Sequence, residues 1–153
     1  MYRPIQVVNR FIQLAKESGT TLTHMQLQKL LYIAHGFNLA FYDKPLLDVP
    51  VCAWKYGPVI PSVYATLRNY RSAPITDEIR CESTSFDAAT DSLLKSVFNT
   101  YGKLDGLQLS EFTHRENTPW SATWKVSGDI INDELIKDYY KRLIKSDASC
   151  IGL

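Results

Sequence analysis

Between residues 21 and 41 the chain runs TLTHMQLQKLLYIAHGFNLAF, and its apolar positions recur at helical spacing. Leu27, Leu30, Leu31, Ala34 and Phe41 form one face with Phe37 beside it, while Tyr32, Ile33, Leu39 and Ala40 occupy the other side. A helix apolar on most sides is one that other elements pack around. Thr23, followed three residues later by Gln26, predicts a capping box at its start. Gly36 leaves room for a close neighbour, and Asn38, inside the stripe, needs a hydrogen-bond partner once buried.

The flanking pattern predicts further helices. Ile5, Val8, Phe11, Ile12 and Ala15 repeat at helical spacing behind Pro4, with a stop at Ser18-Gly19. Pro61 opens a short helix carrying Val63, Tyr64 and Leu67. Residues 86–101 are amphipathic, with Ala89, Leu93, Leu94, Val97 and Phe98 facing inward. Asp105 with Gln108 caps a helix reaching His114, and Thr118-Pro119 opens another on which Trp120 and Trp124 share a face. Asn132 caps the last helix, stapled by Ile131 and Ile136 and carried by Leu135, Ile136, Tyr139, Tyr140 and Leu143 to about Lys145.

Two stretches alternate with period two. Leu47, Val49, Val51 and Ala53 predict a strand, which Pro50 confines to a sheet edge. Ile75, Ile79 and Cys81 predict a second, antiparallel to the first, and Gly57-Pro58 between them is expected to be loop. The expected fold is therefore mostly α (α+β): a compact helical domain around a buried central helix, with a small two-stranded antiparallel sheet. Residues 1–145 form a single domain, with 146–153 as a flexible tail.

Composition narrows the function classes. A length of 153 residues with 45% apolar content suits one domain with a real core. Net charge is +1, which gives the molecule no bias toward nucleic acid or anionic lipid, and neither is expected as a partner. The sequence shows no leader pattern and no apolar run long enough to span a bilayer. Cys52, Cys81 and Cys150 are odd in number and far apart, which argues against a disulfide framework or a zinc site and for a reducing, cytoplasmic compartment.

Candidate chemistry is sparse. His24 and His35 lie three turns apart on the central helix, too far to share a metal ion. Ser110, Glu111 and His114 are close in sequence, but no nucleophile elbow surrounds Ser110, and polar residues on a short helix account for them. No Gly-rich phosphate loop is present. Neither a catalytic residue, a cofactor nor a metal is assigned. Cys150-Ile151-Gly152-Leu153 fits a prenylation signal poorly, and a frayed end is the simpler reading. Arg68, Tyr70 and Arg71 are of the residue types that dominate protein interfaces. With Tyr56 and Gly57 they are the candidate partner-binding residues.

Three segments in order resemble one family. Leu27-Gln28-Lys29-Leu30-Leu31-Tyr32-Ile33-Ala34 is similar to the central-helix signature of the Panacea domain, found in phage-associated GepA-like and SocA-like proteins. Ala53-Trp54-Lys55-Tyr56-Gly57-Pro58-Val59 with Val63-Tyr64 resembles its second motif. Leu109-Ser110, Thr113-His114 and Pro119-Trp120 resemble the third. The resemblance implies an antitoxin that binds and neutralises a protein toxin encoded beside it. It also implies two alternatives: an adaptor delivering that toxin to a Clp-type protease, and a phage accessory protein without a toxin. The family motifs read as structural, and no catalytic role is carried over from them.

Overall fold

The computed structural model describes residues 1–151, with side chains through Ser146. Seven helices surround a small sheet: α1 (Pro4–Glu17), α2 (His24–Tyr42), α3 (Pro61–Leu67), α4 (Ala88–Tyr101), α5 (Gly106–His114), α6 (Pro119–Lys125) and α7 (Asp133–Ile151). The strands are β1 (Val51–Trp54), β2 (Gly57–Val59) and β3 (Ile130–Ile131).

Helix α2 is the centre, as its all-round apolar pattern requires. Leu27, Leu30, Leu31, Tyr32, Ile33, Ala34 and Leu39 are buried on it, and α7, α4, α5, α1 and α3 all pack against it. Its start is the expected capping box: Thr23 Oγ1 accepts from the Gln26 amide, and Gln26 Oε1 accepts from the Thr23 amide at 2.8 Å. Asn38 finds its partner, donating to the Lys44 carbonyl at 2.7 Å. At Gly36 the ring of Tyr140 from α7 lies directly on the helix backbone.

His35 is a buried organiser. The amides of Leu46 and Leu47 donate to its Nδ1 at 3.3 and 3.4 Å, so Nε2 carries the hydrogen and donates to Asp133 Oδ1 at 2.9 Å. One side chain on α2 thus ties the chain entering β1 to the first residue of α7.

The sheet differs from the expected strand pair. It has three antiparallel strands in the order β2-β1-β3, with Cys52 opposite Val59 and Trp54 opposite Gly57 on one side, and Val51 opposite Ile131 on the other. Gly57-Pro58 is therefore strand rather than loop. Proline is compatible with an edge strand because the missing N–H costs no ladder bond there. Gly57, at φ 115°, takes a backbone conformation that few side chains tolerate and so permits the tight reversal after Tyr56.

Residues 75–81 are not a strand. Ile75 makes one bridge with Leu22, and the chain beyond lies across α1, where the Asn9 side chain stands in for a partner strand. Asn9 Nδ2 donates to the Ile79 carbonyl, and Asn9 Oδ1 accepts from the Ile79 amide, both at 2.7 Å. The alternation is real, but a side-chain amide satisfies it.

Smaller departures follow from packing. Helix α7 continues to Ile151, past the Lys145 limit, while Gly152 and Leu153 lie outside the described residues. Ala89 is exposed and Thr90 takes the inner position on α4; Phe41 and Leu135 also face outward. None of the helices among the described residues is long and apolar enough to cross a membrane.

Candidate functional site

The three family-like segments converge on the β1–β2 hairpin. Its alternate carbonyls, at residues 54, 56, 58 and 60, are each taken by a side chain from a surrounding helix. Trp120 Nε1 on α6 donates to Trp54 O at 2.7 Å, and Ser110 Oγ on α5 donates to Tyr56 O at 2.9 Å. Lys29 Nζ on α2 donates to Pro58 O at 2.9 Å. Gln28 closes the row, its Nε2 donating to Ile60 O at 3.2 Å and its Oε1 accepting from Ile60 N at 3.0 Å. The side chains thus hold the hairpin at the end of β1, in the turn, on β2 and just beyond it, and at Pro58 and Ile60 they pair groups that a neighbouring strand otherwise would.

Each donor is set by local helix chemistry. Gln28 and Lys29 follow the capped first turn of α2, Ser110 lies in the helix opened by the Asp105–Gln108 box, and Trp120 sits next to Pro119 behind the Thr118 cap. The Ser110 hydroxyl directs its hydrogen to Tyr56 O, so Nδ1 of His114 donates to the Ser110 backbone carbonyl. In this geometry Ser110 and His114 act as a local brace, with the serine hydrogen aimed away from the imidazole.

Lys29 is the electrostatic outlier. It is 2% exposed and has no ion-pair partner among the described residues, and burial lowers its pKa to about 7. His24, one turn before Gln28, is also lowered, by burial first and by the Lys29 charge second. A Cβ at position 57 would lie 2.9 Å from Lys29 Nζ and 3.4 Å from the His114 Cβ, so glycine is what lets the hairpin settle onto this amine.

Outside this braced row the hairpin carries exposed side chains. Lys55 lies over the Tyr56 ring at 5.5 Å, and Tyr56 is 63% exposed. Trp54 meets Tyr64 of α3 edge-on at 5.1 Å, and Trp120 stacks on the exposed Trp124 at 5.4 Å. Helix α3 buries only Val63 and Leu67, so the rest of its surface is open.

Of the five residues picked out from sequence, Tyr56, Arg68, Tyr70 and Arg71 are exposed, whereas Gly57 is buried. They fall in two groups. Tyr56 tops the hairpin before α3, and residues 68–71 form the turn after it, separated by about 10 Å of helix. Between them in the chain, Tyr64 on α3 packs against Trp54. Sequence reasoning passed over Gln28, Lys29, Ser110 and Trp120 as positioning residues. A lysine within a helix apolar on most sides was the available signal.

Replacing Gln28 with leucine leaves the amide of buried Ile60 unpaired, while the Ile60 carbonyl still accepts from the Val63 and Tyr64 amides. The expected loss is about 2 kcal/mol of unfolding free energy, read by urea denaturation.

Comparison with known proteins places these segments. The family model described as "Antitoxin SocA-like, Panacea domain" matches residues 27–121, which include all four carbonyl-binding side chains. The chain is similar to a protein named Antitoxin SocA from Caulobacter vibrioides (strain NA1000 / CB15N), 28% identical over 151 residues covering 88% of this chain and 80% of that one. No solved structure matches the chain significantly.

Proposed function

Because the chain belongs to the antitoxin SocA-like, Panacea domain family, we propose that it is an antitoxin that neutralises a cognate protein toxin by direct contact. The observation that carries this reading is the braced hairpin: two family-like segments hold the third, residues 54–60, at four carbonyls, while Lys55 and Tyr56 stand outward. A binding surface fixed before contact loses little conformational entropy on association. Tyrosine, tryptophan and arginine, the residues around this hairpin and the turn after α3, supply most of the energy at protein interfaces.

The partner is expected to be the product of an adjacent gene, and the protein to act in the cytoplasm without a cofactor. Co-expression with the neighbouring reading frame, in cells where that product alone stops growth, is the test. Restored growth together with a persisting partner supports neutralisation by contact. Restored growth with loss of the partner from the cells favours delivery to a Clp-type protease instead. No toxicity and no rescue would leave an accessory phage role in its place.

A further inference from the structure

We infer that the open face of α3 and the turn that follows it docks an acidic surface segment of the partner protein, an inference that rests on the toxin-binding reading. Between Asp48 and Asp77 the chain contains no Asp or Glu, but it contains Lys55, Arg68 and Arg71. That stretch carries +3 within a molecule of net charge +1, leaving −2 for the remainder. Lys55, Arg68 and Arg71 are exposed, and none has an ion-pair partner among the described residues. Elsewhere Arg3, Arg10, Arg115, Lys95, Lys125 and Lys137 are paired with carboxylates, while Lys16, Lys44, Arg80 and Lys103 are not paired among the described residues. What sets residues 49–76 apart is that the stretch holds no acidic residue at all. Along the chain these three cations have no acidic residue beside them.

The surface between them fits a protein. Tyr64 is 41% exposed and Tyr70 39%. Helix α3 is anchored, by the Trp54–Tyr64 contact at its middle and by the Ile75 amide donating to Leu22 O at 2.8 Å beyond its C-terminal end. Arg71 takes φ 54°, an uncommon conformation for a side-chain-bearing residue, and its amide donates to Arg68 O at 3.1 Å, so one closed turn carries both arginines. Arginine forks engage carboxylates in pairs, and tyrosine rings supply apolar area with a polar tip. Nucleic acid is the less favoured occupant, because its affinity grows with the number of phosphates neutralised and three cations form a small footprint.

The test measures binding of the purified product of the neighbouring reading frame to wild type, Arg68→Glu/Arg71→Glu, Tyr64→Ala and the control Arg80→Glu, with circular dichroism confirming each fold. Arg80 is exposed on the chain crossing α1, away from this face. The double reversal is expected to weaken binding by about 100-fold, because like charges are then opposed across the interface. Tyr64→Ala should weaken it about 10-fold, and Arg80→Glu should leave it unchanged. Wild-type affinity should fall as salt rises from about 50 to about 300 mM. Binding of the double reversal at wild-type strength would overturn this inference while leaving toxin binding intact. Absence of any complex with wild type would overturn both. Arginine-dependent binding of mixed-sequence duplex DNA, or a homodimer abolished by the double reversal, would assign the face to another occupant and overturn the inference.

Discussion

Replacing Gly36 with alanine is expected to destabilise the fold by about 3 kcal/mol, at the upper end of what overpacking costs. A Cβ there would overlap Cδ2 and Cε2 of the Tyr140 ring and lie 2.8 Å from its Cγ. The ring has little room to yield: Tyr140 is fully buried and meets Phe37 at 4.9 Å, Tyr32 at 6.0 Å and Tyr139 at 5.3 Å. Alanine favours a helix over glycine by about 1 kcal/mol, so the steric cost must exceed the measured loss by that amount. Urea denaturation checks the magnitude, and a double-mutant cycle checks the cause. In a Tyr140→Ala background Gly36→Ala should cost much less, because every overlapping side-chain atom beyond Cβ is gone. Equal losses in both backgrounds would show that α2 and α7 do not meet at this point.

The second large effect is a dependence of stability on pH carried by Lys29. Its folded pKa of about 7 lies below the ordinary lysine value of 10.5, so between those values the unfolded chain holds a proton that the folded chain does not. Stability therefore rises with pH through this window, and below it the full cost of burying the ammonium is present. The rise from about pH 7 to about pH 9.5 is expected to reach roughly 3 kcal/mol, at about 1.4 kcal/mol per pH unit of the shift. Cys52 works in the opposite direction from about pH 9 upward, because burial raises its thiol. The phenols of Tyr32 and Tyr140, also raised by burial, oppose the rise only above about pH 10. Lys29→Met removes the titrating group but keeps a flexible stem of similar length, and its denaturation free energy should be nearly flat across the same window. A slope retained in Lys29→Met would assign it to other groups.

Much of the helical frame was legible because its signals are local. Thr23 with Gln26 and Asp105 with Gln108 set helix starts through bonds spanning three residues, and Thr118 caps the helix opened by Pro119 through its bond from the Ser121 amide. The burial of α2 followed from apolar residues on both its sides. The sheet was harder to see because strand pairing is decided by distant segments. Ile130–Ile131 is too short to alternate, Gly57-Pro58 carries the punctuation of a loop, and Ile79 alternates correctly but pairs with the Asn9 side chain. Exposed Tyr56, Arg68, Tyr70 and Arg71 could be picked out by residue type. The brace behind the hairpin could not, since Gln28, Ser110 and Trp120 are unremarkable in sequence until the fold aligns them with successive carbonyls along the hairpin.

The central claim is that this fold neutralises by contact, presenting a fixed hairpin and a basic turn to a partner protein. Co-purification of the tagged protein with the product of the neighbouring reading frame tests it most directly, with the amounts of both chains measured in the eluate and in the cells. Neutralisation by contact gives a stable stoichiometric complex, with the partner at undiminished cellular level and its toxicity suppressed. A toxic partner that is suppressed yet never co-purifies, its level falling whenever the protein is present, would contradict it.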